Sequence, residues 1–148
     1  MSAGSDAAAV HVAVAVILDT DGRVLLTRRA DDAHQGGLWE FPGGKLEAGE
    51  SLAEGLGREL REELGIQPTR TSALLEVRHD YGDKQVLLDV HVVWEFAGEP
   101  RALEGQPMRW VDVGQLREHA FPAANQPIVA AVELLSLPAA STGGDAGQ

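Results

Sequence analysis

Residues 51–65 constrain this chain more than any other segment. Ser51 is followed three residues later by Glu54, the reciprocal pair that satisfies the free N–H groups at a helix start. Leu52, Leu56, Leu60 and Leu64 recur every four residues, and Gly65 stands where a left-handed C-terminal cap belongs. A helix with this apolar stripe has to bury it, and the neighbouring sequence offers strands. Val10, Val12, Val14 and Val16 alternate through residues 10–18, and a second strand is predicted at 23–29. Between them, Asp19-Thr20-Asp21-Gly22 reads as a hairpin turn with Gly22 supplying a positive φ. Further strands are predicted at 73–81 and 84–96, joined at Gly82-Asp83, and at 108–113. Residues 127–137 read as a second helix, with Ile128, Ala131, Val132 and Leu135 on one face. Elements in this order suggest a sheet covered by helices. Gly55 and Gly57 are awkward inside the first helix, each costing roughly 1 kcal/mol relative to alanine. Close approach of a neighbouring loop would compensate.

The chain has 148 residues, enough for one domain with a sizeable core. Residues 10–137 are expected to form that domain, with 1–9 and 138–148 as loose tails rich in small and polar residues. A Gly/Pro-rich loop is expected at 36–49. There is no cysteine, so disulfides, thiolate-bound zinc and thiol chemistry are excluded. The apolar run at 10–18 is too short to span a bilayer and follows no basic segment. A cytoplasmic protein without membrane attachment is therefore expected. Its 23 acidic and 12 basic residues give a net charge of -11, which argues against binding a nucleic-acid polymer. A small anionic substrate stays compatible with that charge if a divalent metal and a few local cations neutralise it.

The helix also carries Glu59, Glu62 and Glu63, which share an arc of about 100°. Like charges at this spacing destabilise a helix. Hard divalent cations with oxygen ligands reverse that sign, and Mg²⁺ is the common choice beside phosphates. Such a run is by itself more often a solvated acidic face. Here, however, Gly43-Gly44 and Glu50 precede it, Arg58 adjoins it, and Leu60 and Leu64 anchor the same face to the core.

The segment from Gly44 through Glu50 and Arg58-Glu59-Leu60-Arg61-Glu62-Glu63-Leu64-Gly65-Ile66 resembles the Nudix box, G-x5-E-x7-R-E-U-x-E-E-x-G-U, at every specified position. That resemblance implies an α/β/α sandwich with a mixed β-sheet and a loop-helix-loop catalytic motif. It implies Mg²⁺, with Mn²⁺ as a substitute, held by Glu59, Glu62, Glu63 and the Gly43 carbonyl, and Arg58 orienting the carboxylates by pairing with Glu50. An ordinary ion pair between Glu50 and Arg58 is compatible with that role. A carboxylate has to accept the proton of the attacking water. Glu59 is the favoured acceptor and Glu104 its rival.

Three further segments are similar to the MutT branch, which removes oxidised guanine nucleotides. They are residues 27–34 with 40–45, Glu104-Gly105-Gln106-Pro107 before Trp110, and residues 121–128. The likeness implies hydrolysis of a nucleoside triphosphate, 8-oxo-dGTP above all, to monophosphate and pyrophosphate. It selects Arg29, rather than Arg28, for phosphate, and Glu104 as a further metal-site carboxylate. Glu40, Phe41, Lys45, Asp83, Lys84 and Asn125 become substrate-binding candidates. Phe41 otherwise reads as core, and Asn125 as the N-cap of the last helix. The MutT branch usually carries arginine where Lys84 follows Asp83, close to the base pocket. Cytidine-nucleotide pyrophosphohydrolases share much of the same texture and are the alternative enzyme. A Nudix-fold module that binds without hydrolysis is the alternative of another class, but such modules lose box carboxylates and this chain keeps them. The expected partner is a small nucleotide, and the chain a monomer or homodimer.

Overall fold

The computed structural model describes residues 9–30 and 36–135. Its strands are β1 (Ala9–Ile17), β2 (Val24–Arg28), β3 (Trp39–Glu40), β4 (Gly43–Lys45), β5 (Gln67–Asp80), β6 (Gln85–Ala97) and β7 (Met108–Val111). Helices α1 (Leu52–Leu64) and α2 (Gln126–Glu133) complete the fold, with 3-10 turns at Val113–Glu118 and Ala123–Asn125. The larger sheet runs β4-β1-β6-β5 and the smaller β3-β2-β7. β1 pairs parallel with β6 and antiparallel with β4, so the larger sheet is mixed.

Alternation along β1 explains the layering. Ala13, Ala15 and Ile17 share a buried cluster with Leu56, Leu60 and Leu64 of α1. Val14, Val16 and Leu18 join the opposite cluster, with Ile128, Val129 and Val132 of α2. A period of two on the strand against leucines every four residues on the helix yields the expected α/β/α sandwich. Both ends of α1 form as the sequence requires: Ser51 and Glu54 make the reciprocal cap, and Gly65 adopts φ 71°.

Several expectations need correction. β1 and β2 flank the turn with Gly22 at φ 79°, yet they belong to different sheets and share only the Leu18–Val24 bridge. The loop expected at 36–49 contains β3 and β4. β5 starts at Gln67, with Pro68 inside it; β5 is a sheet edge with bulges, where a missing N–H is tolerated. The strand expected at 108–113 ends at Val111 and passes into the 3-10 turn. The last helix ends at Glu133, and Val129 rather than Ala131 completes its buried face. Ala9 belongs to β1, while residues 1–8 and 138–148 of the expected tails, and residues 136–137 of the expected last helix, lie outside the described residues.

The two helix glycines separate. A methyl group on Gly55 would overlap the Leu46 side chain and come within 3.0 Å of a Glu50 carboxylate oxygen, so the Leu46 side chain has to shift to admit one. Around Gly57 the nearest atom would be Gln67 Nε2 at 3.8 Å, an ordinary contact. Gly57→Ala is therefore expected to stabilise the protein by roughly 0.5–1 kcal/mol. Gly55→Ala should destabilise it, and thermal unfolding of the two variants checks the contrast.

Candidate active site

A cleft of about 850 Å³ is lined by β1, the end of β2, the β3–β4 corner, α1 through Glu63, the β5–β6 hairpin tip and the loops at Glu104 and Asn125. It gathers Arg29, Glu40, Phe41, Gly43, Lys45, Glu63, Asp83, Lys84, Glu104 and Asn125 from distant parts of the chain. Glu50, Arg58, Glu59 and Glu62 are not on its wall.

The β4 corner brings backbone against carboxylates. A Cβ on Gly44 would lie 2.5 Å from the Glu59 carboxyl group, so only glycine admits this approach. Gly43 has φ 148° and its N–H hydrogen-bonds the Glu63 carboxylate. Burial, the charge of Glu59, a hydrogen bond shared with Glu59 and the charge of Glu104 push Glu63 up to about 9, while the Gly43 N–H opposes them. Glu63 thus sits where negative charge is in excess.

Arg58 ties the neighbouring carboxylates together. Its Nε donates to Glu50 at 2.6 Å and its Nη2 to the other Glu50 oxygen at 3.0 Å, a bidentate pair. Nη1 reaches Glu59 at 3.1 Å and Glu62 at 3.2 Å, and Nη2 also donates to the Lys45 carbonyl at 3.1 Å. Arg58 and the Glu47 N–H hold Glu50 down at about 2. The Glu59 side chain is 15% exposed and that of Glu62 is 52% exposed, so Glu62 stands at the outer rim of this knot.

These residues supply hard oxygen donors, and the excess negative charge at Glu63 is what a divalent cation relieves. The donor set fits such an ion. Among the described residues no three His, Asp or Glu side chains close around one point as a finished cage would. Arg58 engages Glu59 and Glu62 instead.

Elsewhere on the cleft wall, Arg29 Nη1 donates to Glu40 at 2.7 Å. Burial pushes the Glu40 carboxyl up, partly offset by Arg29. Arg28 Nε donates to the Gly37 carbonyl at 3.1 Å. Phe41 is 4% exposed and stacks on Phe121 at 5.4 Å, so it is first a core residue whose edge reaches the cleft. Asn125 corrects a sequence reading: it occupies the N-cap position of α2, but its side chain makes no capping hydrogen bond. The local rule for asparagine fails because Asn125 is αR, with φ -89° and ψ -8°, rather than the extended conformation that aims a capping oxygen.

Sequence reasoning missed Tyr81, Thr27 and the apolar wall of Val12, Val14, Val86 and Leu88. The alternation in β1 and β6 contained the valine signal, but one face of a strand can line a core or a cleft. Gln106 was visible only as part of a segment. Its Nε2 donates to the Glu63 carbonyl at 3.3 Å and its Oε1 accepts from the Glu104 N–H at 3.1 Å, joining the Glu104 loop to α1.

A family model described as NUDIX domain matches residues 13–131. The 8-oxo-dGTP diphosphatase of Escherichia coli K12 is 37% identical over 126 residues, covering 85% of this chain and 98% of the relative. The CTP pyrophosphohydrolase of the same strain is 36% identical over 118 residues, covering 81% and 88%. A MutT structure from work on Aliivibrio salmonicida and Vibrio cholerae superposes with a TM-score of 0.75 at 38% identity, covering 84% of this chain and 97% of its own. Fold and relatives together define a pyrophosphohydrolase built as an α/β/α sandwich. The chain belongs to the Nudix family, and within it is MutT-like.

Proposed function

We propose that the chain hydrolyses nucleoside triphosphates to monophosphate and pyrophosphate with Mg²⁺, and that 8-oxo-dGTP is its preferred substrate. The observation that carries this reading is one cleft lined by two unlike sets of groups: Glu63 and Glu104 with the Gly43-Gly44 corner, and the Asn125 amide, which makes no capping bond. The reading places the enzyme in the cytoplasm, acting on the free nucleotide pool.

Arg29 and Lys45 meet the phosphate chain and lower its charge. Glu59, Glu62, Glu63 and the Gly43 carbonyl are the groups to hold Mg²⁺, and Arg58, fixed by Glu50, keeps the first two in register. When bound, the ion supplies charge neutralisation at the diphosphate and a more acidic water. Glu104 is the carboxylate that would accept the proton of the attacking water at one of its oxygens. It lines the cleft, whereas Glu59, the acceptor favoured on sequence, is engaged by Arg58 off its wall. Phe41 and the valine wall exclude water around the base, and Asp83 and Lys84 at the β5–β6 hairpin tip also line the cleft.

A pyrimidine triphosphate, CTP or dCTP, is the second reading, favoured by Lys84 at the hairpin tip and by the CTP pyrophosphohydrolase relative. Comparing kcat/KM for 8-oxo-dGTP, dGTP, dCTP and CTP separates the two. The expected order has 8-oxo-dGTP first by at least tenfold. A higher value for either cytidine nucleotide would reverse the assignment.

A further inference from the structure

Thr27 is the one polar residue buried in the core among the described residues, at 3% exposure. It nevertheless lines the cleft. Its backbone is satisfied in the β2 ladder, opposite Glu40 on β3 and Met108 on β7. Its hydroxyl has no hydrogen-bond partner in the described structure. Glu40, directly across the ladder, turns its carboxylate to Arg29, and Gln106, also on the cleft wall, is taken by Glu104 and Glu63. A buried hydroxyl without a partner costs stability, and a valine would fill the same shape in a strand without that cost. A group kept in the less stable form, on the wall of a cleft, is explained by a ligand that completes it.

Strand alternation says which part of the ligand. Leu25 and Thr27 point to one side of β2, and Val24 and Leu26 to the other. Arg29, whose N–H continues the ladder by donating to the Leu38 carbonyl at 2.9 Å, follows Thr27 on its side. We infer that Thr27 Oγ1 donates a hydrogen bond to a phosphate oxygen of the bound nucleotide, beside Arg29. The inference rests on the nucleotide reading above.

Thr27→Val and Thr27→Ser test it, with 8-oxo-dGMP and 8-oxo-deoxyguanosine as competitive inhibitors and thermal unfolding of the ligand-free protein. Thr27→Val should bind 8-oxo-dGMP about tenfold more weakly, leave the nucleoside unchanged and melt roughly 2–4 °C higher. Thr27→Ser should keep wild-type affinity for 8-oxo-dGMP. Wild-type affinity for 8-oxo-dGMP in Thr27→Val overturns the inference whatever its melting temperature. An equal loss for the nucleoside overturns the phosphate assignment. If the wild-type protein hydrolyses no nucleoside triphosphate, the nucleotide reading itself fails and takes this inference with it. An active wild type with an unaffected Thr27→Val refutes the inference alone.

Discussion

Glu63→Gln is expected to lose on the order of a thousandfold in kcat while gaining stability at alkaline pH. The first effect follows from removing the carboxylate that faces the cleft beside Glu104 and the Gly43 N–H, where charge stabilisation is worth several kcal/mol. The second follows from proton linkage. Glu63 has an ordinary value of 4.5 and is pushed up to about 9 in the fold. Between those values the folded protein binds more protons than the unfolded chain, so stability falls as pH rises through the window. Glutamine removes this slope. In chelator, Glu63→Gln should therefore melt several degrees above wild type at pH 8 and close to it at pH 5. Calorimetry at the two pH values and a turnover assay check both halves. Undiminished turnover, or equal melting at pH 8, would place Glu63 outside the charged centre.

The second large effect concerns Asn125. Its amide offers a donor and an acceptor, which can meet the adjacent O6 and N7 of a purine. Oxidation at C8 turns N7 from an acceptor into an N–H donor, so an amide oxygen presented there favours 8-oxoguanine over guanine. An unmatched buried pair costs roughly 1–3 kcal/mol, about ten- to a hundredfold in discrimination. Asn125→Ala should lose the preference for 8-oxo-dGTP over dGTP by that factor, whereas Asn125→Asp keeps an acceptor at N7 but loses the donor to O6 and should bind both nucleotides more weakly. Neither should melt appreciably lower, because no capping bond is lost. A retained preference with a melting point lowered by about 1 kcal/mol of stability in Asn125→Ala alone would restore the cap role.

What the sequence made legible was local or periodic. The caps of α1, its leucine stripe and the alternation in β1 each depend on a few neighbouring residues, and each formed as expected. What escaped depends on distant partners. β3 and β4 are two and three residues long and exist because β2 and β1 pair with them across the fold. No propensity within such short Gly/Pro-rich pieces announces them. The candidate site divides in the same way. The carboxylate row and Arg58 stand in a continuous motif, so they could be found by spacing. Thr27 and Tyr81 reach the cleft through tertiary placement, and a threonine in a β-strand carries no mark of being left without a partner. Helical spacing also could not show that Glu62 lies at the rim while Glu63 is drawn inward.

Phosphorus-31 NMR of the reaction products, with 8-oxo-dGTP as substrate and no added pyrophosphatase, tests the central claim most directly. The expected result is monophosphate and pyrophosphate in equal amounts with Mg²⁺, and no turnover in excess chelator. Orthophosphate and nucleoside diphosphate as first products, or full turnover in chelator, would contradict it.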